Sequence, residues 1–308
     1  MKDFVFARLL FTVRLDADFP DPYILYGVRG AFTQAFRTIT CRDNVLCDMC
    51  GKREECAYYM TFSQSLADDQ SAVKRHQKPP LPFVFDFPIP STLPKKGHHI
   101  EIGLTLAGSA LNYMAEYITA MKALFSAERL GEGLLGTLVR VESLGCSDAR
   151  TCLMQNGRDV DLANVATISG RDLLEMNSLY SDRIKLTIIT PLRIIHDGLP
   201  IREFSCSIFL RALLRRISSL TYYYYKSGHD VDYKRLAAAS TMIRLEDNHF
   251  RWSDWRQHGG TGHLGGILGS GYCVGRIDEE LHIFLLLGEY FHAGKGAAYG
   301  LGRFTIET

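Results

Sequence analysis

The order of elements predicted from the sequence indicates an α+β protein built from two tandem ferredoxin-like units. Residues 4–15 read as a strand rich in β-forming residues. Amphipathic helical patterns follow at 27–40 and 108–125, and the apolar face of the first consists of Phe32, Ala35, Phe36 and Ile39. The first half therefore reads strand, helix, strand, strand, helix, strand, which is the ferredoxin-like order. From residue 183 the same order begins again.

The remaining elements complete the two units. In the first unit, further strands are predicted at 83–87, 98–106 and 137–144. In the second unit, strands are predicted at 183–195, 249–257 and 264–273 and helices at 203–226 and 278–291, with a last strand at the end of the chain. We divide the chain into a first domain, an irregular linker and a second domain, at 1–150, 151–182 and 183–308.

Bulk properties set limits on the partners. With 308 residues, 46% of them hydrophobic, the chain can bury two cores, and its net charge of +1 requires that any nucleic acid be held by a local basic patch. No secretory signal and no apolar run long enough for a membrane span are present, so we expect a cytoplasmic protein with no membrane partner. In that compartment the eight cysteines are expected as thiols or metal ligands.

A glycine-rich run at 293–303 lies between the last predicted helix and the last strand. Glycine allows a backbone to approach a polyanion and to adopt positive φ, and Lys295 and Arg303 add positive charge. One interpretation is a loop that holds a phosphate backbone; the other is a simple turn, since neither familiar phosphate-binding fingerprint is present. A similar glycine run at 131–136 occupies the corresponding place in the first unit, which indicates an internal repeat.

Two further patterns have a functional and a structural interpretation. Arg29, Thr33 and Arg37 fall on one stripe of the first helix, where two arginines could bind phosphates or simply form a solvated face. Four cysteines in the insertion at 41–60 follow the spacing C-x5-C-x2-C-x5-C: Cys41, Cys47, Cys50 and Cys56. They are a candidate structural zinc site or four reduced cysteines in a loop.

Several segments in this order resemble one family. The strongest is the run from Gly288 to Phe304, and others are Val28 to Phe32, the cysteine cluster ending in Cys56-Ala-Tyr58, Leu186 to Arg193, Leu213 to Ser218, and Trp255-Arg256-Gln257 followed by Gly265-Gly266. The chain resembles the CRISPR repeat-processing endoribonucleases of the RAMP superfamily, whose C-terminal glycine-rich loop the last run matches. The resemblance implies metal-independent cleavage of precursor CRISPR RNA, by attack of a ribose 2′-hydroxyl on the adjacent phosphate.

The catalytic residues implied by this resemblance are incompletely matched. Many family members carry a catalytic histidine in or beside the first helix, whereas this chain has no histidine before His76. We therefore predict three catalytic candidates, Tyr26, Arg37 and His292, the last with the alternative role of a helix-ending residue. His258 is a further candidate, and the Tyr222–Tyr225 run a candidate stacking surface.

The predicted RNA contacts combine the loop with two helices. They are Arg29, Arg215, Arg216, Gly294, Lys295, Gly296, Gly300, Gly302 and Arg303. The expected partners are CRISPR repeat RNA or its processed product and other CRISPR effector subunits, with no cofactor for catalysis. Two alternatives stay open: an inactive RNA-binding protein of the same fold within an effector complex, and a zinc-stabilised scaffold whose loop contacts protein.

Overall fold

The computed structural model describes residues 1–41, 46–66, 79–126, 136–157, 159–177, 181–225, 231–256 and 263–308. Its first half forms one antiparallel sheet with strand order β2-β3-β1-β4-β5, and β6 pairs with β1. The elements of this half are β1 (Val5–Leu15), α1 (Arg29–Thr40), β2 (Phe83–Asp86), β3 (His99–Ala107), α2 (Met114–Ser126), β4 (Gly136–Leu144), β5 (Arg150–Gln155), β6 (Thr167–Ser169) and α3 (Gly170–Met176).

The second half repeats this arrangement with strand order β10-β12-β7-β13, and β11 pairs with β12. Its elements are β7 (Arg183–Leu192), β8 (Ile195–His196), β9 (Leu199–Pro200), α4 (Cys206–Tyr225), α5 (Tyr233–Ser240), β10 (Arg244–Glu246), β11 (Arg251–Arg256), β12 (His263–Val274), α6 (Glu279–Phe291) and β13 (Phe304–Glu307). Both sheets place the first strand of the unit between its third and fourth strands, so the tandem ferredoxin-like prediction is confirmed.

The predicted helix faces are the buried faces. α1 places Phe32 and Phe36 in the core, both with no exposed surface, while Arg29 on the opposite face is exposed. Asp278 is the N-cap of α6, and its carboxylate accepts a hydrogen bond from the Leu281 N–H at 3.0 Å, which satisfies one of the free donors of the first turn. None of the described helices is long and apolar enough to cross a membrane.

The segment predicted as an irregular linker is more regular than expected. β5 pairs with β4, and β6 pairs with β1 at the register Phe6↔Ile168, so both strands belong to the first sheet. Sequence reasoning missed them because they are short and are held by partners far away along the chain. The division into domains at these boundaries stays a proposal.

The two halves share their hydrophobic cores. The core beneath the first sheet includes three buried residues from the second half, Trp255, Ala298 and Tyr299. The core of the second half includes Phe6 of β1 and Phe4, which directly precedes that strand. Each half therefore completes the packing of the other.

Candidate nucleic-acid interface

The glycine-rich segment 292–303, between α6 and β13, is the glycine loop. Gly294, Gly296, Gly300 and Gly302 all have positive φ, at 78°, 83°, 83° and 66°. Side chains disfavour this conformation, and at Gly302 a Cβ would lie 1.8 Å from the Ala293 carbonyl oxygen. The glycines are therefore required to form the loop.

Hydrogen bonds fix the loop to the end of β7. The Gly302 N–H donates to the Pro191 carbonyl at 3.1 Å, and the Lys295 N–H donates to the Arg193 carbonyl at 2.8 Å. Gly300 and Gly302 are buried, whereas Gly294 and Gly296 are partly exposed. Gly300 and Gly302 were predicted to contact RNA. Because they are buried, we interpret their role as shaping the loop.

One side of the loop borders a cavity of about 300 Å³, which we call the basic pocket. It is lined by the loop, by α4 and by the segment after β7. Four of the residues predicted to contact RNA line this pocket, and Arg193 lies beside them. The pocket's polar and charged lining residues are Arg193, Arg215, Arg216, Ser219 and Lys295, and Gly294 also lines it. Arg193, Arg215 and Lys295 are distant along the chain, but all three line this pocket.

The other side of the loop faces the arginine stripe of α1. The Arg29 guanidinium lies over the Tyr299 ring, 5.7 Å from its centroid, and the Tyr299 hydroxyl is 3.5 Å from Thr33 Oγ1. Further along the helix, the Arg37 guanidinium lies 5.7 Å from the Tyr58 ring centroid. We call these five residues the arginine–tyrosine groove.

Burial raises the pKa of both groove tyrosines above the usual phenol range, against opposing effects from Arg37 at Tyr58 and from Thr33 and Arg29 at Tyr299. Both phenols are therefore protonated at neutral pH and can donate hydrogen bonds. Sequence reasoning included Tyr58 and Tyr299 in the family-like segments without assigning them to the site. Their signal is their place beside a motif, since Tyr58 follows the cysteine cluster and Tyr299 lies within the glycine run.

The structure places the three catalytic candidates in different environments. Tyr26 is 6% exposed, and its hydroxyl lies away from solvent with no hydrogen-bond partner in the described part of the chain. Burial, with a smaller contribution from Asp86, raises its pKa above the usual range. Arg37 is partly exposed, so it is the accessible member of the three.

His292 is a buried helix-ending residue. It is 2% exposed, and its N–H donates to the Gly288 carbonyl at 2.7 Å, with φ at 55°. Burial, followed by the charges of Arg303 and Arg216, holds its pKa well below the usual range, so the ring is neutral at pH 7. Its position matches the alternative interpretation made from the sequence. His258 and residues 131–135 lie outside the described residues.

Arg303 differs from the other cation of the loop. Its guanidinium forms an ion pair with the Asp86 carboxylate. Lys295 is exposed and makes no ion pair with any residue that the structure describes. Most of the loop's available positive charge therefore comes from Lys295.

Arg303 and Asp86 line a second cavity of about 240 Å³, which lies between the two sheets and which we call the sheet-face pocket. Its other charged lining residues are Arg8, Asp148 and Glu289. Arg8 Nη1 donates to the Asp148 carboxylate at 2.6 Å, so both arginines of this pocket are paired. Burial raises the pKa of Glu289 to about 7, although its carboxylate accepts a hydrogen bond from the Ile306 N–H. This balance of charge does not favour a phosphate.

The predicted zinc site is not formed in the described part of the chain. Cys41, Cys47, Cys50 and Cys56 are all free and partly exposed. Two short 3-10 turns, Cys47–Met49 and Arg53–Glu55, separate them. Within the described ranges, no three His, Cys, Asp or Glu side chains are grouped so that they could hold a metal ion. The spacing alone does not produce tetrahedral ligand geometry.

The fold and the site together define a RAMP-type protein, with paired ferredoxin-like units and a C-terminal glycine loop. A family model described as an N-terminal domain (AF_1859_N) matches residues 4–165, and the model of CRISPR-associated endoribonuclease Cas6 matches residues 186–304. The first of these models covers more than half of the chain, which therefore belongs to the family that it describes. The Cas6 domain at residues 186–304 supports a CRISPR repeat-processing endoribonuclease of the RAMP fold.

Solved structures share the fold at low sequence identity. A Cas6 (TTHA0078) product complex is 17% identical, with a TM-score of 0.55, over 99% of this chain and 100% of that chain. Thermus thermophilus Cas6 (TTHB231) is 13% identical, with a TM-score of 0.55, over 99% of each chain. A partial Cas6-RT-Cas1–Cas2 complex is 11% identical, with a TM-score of 0.58, over 99% of this chain and 46% of that chain. No curated protein sequence matches the chain.

Proposed function

We propose that this protein cuts precursor CRISPR RNA within its repeats, by attack of a ribose 2′-hydroxyl on the adjacent phosphate without a metal ion. The observation that carries the proposal is the arginine–tyrosine groove beside the glycine loop, where Arg29 and Arg37 lie over the rings of Tyr299 and Tyr58. Cations and phenol donors on one surface are the groups that a phosphate and its developing charge require.

The reaction forms a bond from the 2′-oxygen to phosphorus and breaks the bond from phosphorus to the 5′-oxygen. Arg37 stabilises the charge on the phosphate, and a phenol of the groove donates a proton toward the leaving 5′-oxygen. The groove residues supply no histidine, so water accepts the 2′-proton. We therefore expect slow cleavage compared with an enzyme that has a positioned base.

Tyr26 and His292 act in this proposal by positioning the loop. A Cβ at Gly300 would lie 3.1 Å from a ring carbon of Tyr26, so this ring packs directly against the loop. His292 ends α6 where the loop begins. Arg29, Lys295 and Arg215 bind the RNA backbone as exposed cations.

The names of the relatives support the choice of partners. Those structures include product complexes of Cas6 and a partial Cas6-RT-Cas1–Cas2 complex. For this chain we propose repeat RNA as substrate, other CRISPR proteins as partners, and the cytoplasm as the location.

The second candidate function is RNA binding without cleavage. It is favoured by the absence of histidine before His76 and by the burial of His292. The zinc-stabilised scaffold is less well supported, because the four cysteines form no metal-binding group within the described residues. A structural zinc ion is therefore not part of the proposal.

The test is incubation of the purified chain with repeat RNA from the host's arrays in excess chelator. We expect one cut per repeat, leaving a 2′,3′-cyclic phosphate and a 5′-hydroxyl, and no cut in RNA with a 2′-deoxy nucleotide at that position. Intact RNA with every repeat would exclude the enzyme, and tight binding in that case would identify the RNA-binding protein.

A second measurement separates RNA binding from the scaffold. Lys295→Ala removes an exposed, unpaired cation, so RNA affinity should fall; the matched variant Lys185→Ala removes a lysine paired with Glu307 at 3.0 Å and should change it less. If the wild-type chain has no affinity for RNA, both RNA functions are excluded.

A further inference from the structure

The basic pocket has an unusual balance of charge. Arg193, Arg215, Arg216 and Lys295 line it, and the described part of the chain contributes no Asp or Glu to its lining. Each of these four cations also lacks an ion pair with any residue in the described ranges. Concentrated positive charge of this kind attracts an anion.

Arg216 is held so that part of its guanidinium has no partner. Its Nε donates to the Phe291 carbonyl at 2.8 Å, which fixes the plane of the group. Its Nη2 lies away from solvent and has no hydrogen-bond partner within the described structure. Burial lowers the pKa of Arg216 to about 10, so the group is still charged at pH 7. A buried charge without a partner is costly, and a bound anion removes that cost.

Arg193 supplies a second donor of the same kind. Its Nε is also buried and without a partner among the described residues. Its carbonyl accepts a hydrogen bond from the Lys295 N–H at 2.8 Å, and a Cβ at Gly294 would lie 2.6 Å from the same oxygen. The glycine at 294 therefore allows the loop to lie against Arg193, which brings Lys295 to the same cavity.

The rest of the lining is apolar, contributed by Pro80, Ile194, Ile195 and Ala212. An apolar wall lowers the local dielectric constant and strengthens the attraction of an anion to the guanidinium groups. The cavity, of about 300 Å³, lies at the lower end of the range for small-ligand pockets. It has room for one phosphate group and part of the nucleotide that carries it.

We propose that the basic pocket binds a single phosphate group through the free N–H groups of Arg193 and Arg216, with Lys295 at its mouth. Guanidinium groups match phosphate oxygens in geometry as well as charge. Two sources have this chemistry: inorganic phosphate and one phosphate of an RNA backbone. Only the second source depends on the proposed function.

The first experiment titrates inorganic phosphate into the full chain by calorimetry, at an ionic strength held constant with chloride. We expect saturable binding of one phosphate. Arg193→Met should weaken it about tenfold or more, because a charge-assisted hydrogen bond is lost, and Arg211→Met, an exposed arginine of α4 outside the pocket, should leave it unchanged.

Arg193 is the preferred variant because Arg216 also bonds to Phe291, and its loss would disturb the packing of α4 against α6. Arg216→Lys serves as a second variant, which keeps the charge and loses the planar donors. The proposal is overturned if the wild-type chain binds no phosphate, or if Arg193→Met binds phosphate as tightly as the wild-type chain.

The second experiment measures binding of labelled repeat RNA with and without saturating phosphate, against chloride at equal ionic strength. Competition identifies the pocket's natural ligand as an RNA phosphate, whereas simultaneous binding identifies it as free phosphate. Failure to cleave RNA leaves the phosphate titration unaffected, so the two proposals fail separately.

Discussion

Both cavities beside the glycine loop are lined by arginines, but only the arginines of one cavity are paired with carboxylates. In the basic pocket, Arg193 and Arg216 have N–H groups without partners in the described structure. In the sheet-face pocket, Arg8 is paired with Asp148 and Arg303 with Asp86. The difference shows that the number of arginines does not locate a phosphate site, since only arginines without a carboxylate are available to an anion.

The exposed face of the first sheet follows the pattern of the sheet-face pocket. Arg150 lies 2.8 Å from Glu101 and 3.3 Å from Glu142, and Arg14 lies 3.7 Å from Asp16. Such pairs add little stability at a surface, but they neutralise the field that would attract RNA. By contrast, Arg29 of α1, Arg215 of α4 and Lys295 of the glycine loop are exposed and make no ion pair with any residue that the structure describes.

The largest expected effect is the loss of stability when a substitution disturbs the glycine loop, which lies between the two cavities. Gly302→Ala places a Cβ 1.8 Å from the Ala293 carbonyl oxygen at a φ of 66°, so the loop must rearrange. We expect the free energy of unfolding to fall by more than about 3 kcal/mol, as measured by urea denaturation.

The matched control for this variant is Gly30→Ala in α1, where a Cβ meets no atom within 4 Å. Alanine is the better helix former, so this variant should gain about 0.5 kcal/mol. Equal losses in the two variants would contradict a role for loop geometry.

The next prediction concerns how stability depends on pH through Glu289 in the sheet-face pocket. Burial raises the pKa of this carboxyl group to about 7. Because the folded pKa lies above the unfolded value of about 4.3, the folded state binds the proton more tightly. The unfolding free energy therefore falls as pH rises from about 4.5 through 7, by at most about 3 kcal/mol.

Glu289→Gln removes this titration. Urea denaturation should give similar stabilities for the variant and the wild-type chain near pH 4.5, with the variant increasingly favoured toward pH 8. A stability difference that does not change with pH would show that Glu289 does not titrate in this range.

The third effect concerns the groove. Arg37→Ala removes the guanidinium that lies over Tyr58, so single-turnover cleavage should slow about 100-fold while RNA affinity changes little. Arg37→Lys should restore part of the rate, and Gln34→Ala, an exposed neighbour on α1, should cleave normally. A loss of affinity equal to the loss of rate would make Arg37 a binding residue only.

The smallest expected effect compares RNA binding by variants of α4 and of the exposed face of the first sheet. Arg215→Glu on exposed α4 should weaken RNA binding about tenfold and reduce the salt dependence, because a phosphate contact is lost. Arg150→Glu on the sheet face changes an arginine that is already paired with Glu101 and should weaken binding less. Filter binding at several salt concentrations measures both, and equal losses would remove the distinction between the faces.

Much of the fold follows from local patterns in the sequence. The 3.6-residue period placed Phe32 and Phe36 inward and Arg29, Thr33 and Arg37 on one outer stripe, as the structure has them. What failed depended on distant partners. The strand β6 exists because β1 pairs with it, and no local signal identifies Thr167–Ser169 as a strand.

The site was predicted less completely, for the same reason. Arg215 and Arg216 look equivalent in sequence, yet Arg215 is exposed, whereas Arg216 is partly buried and its Nε donates to the Phe291 carbonyl. Tyr26 was predicted as a catalytic candidate, but its ring is covered by Phe87 and Trp255, at ring distances of 5.3 and 5.7 Å. Burial by residues that are distant along the chain is not visible in a local pattern.

The exchange of core residues between the halves has a consequence for how the chain folds. Ala298 and Tyr299 fill space beneath the first sheet, and Trp255 packs there as well. A fragment that ends near residue 150 would leave this space open and expose apolar surface. We therefore expect the first unit to complete its packing during synthesis only after the segment near residue 299 has been made.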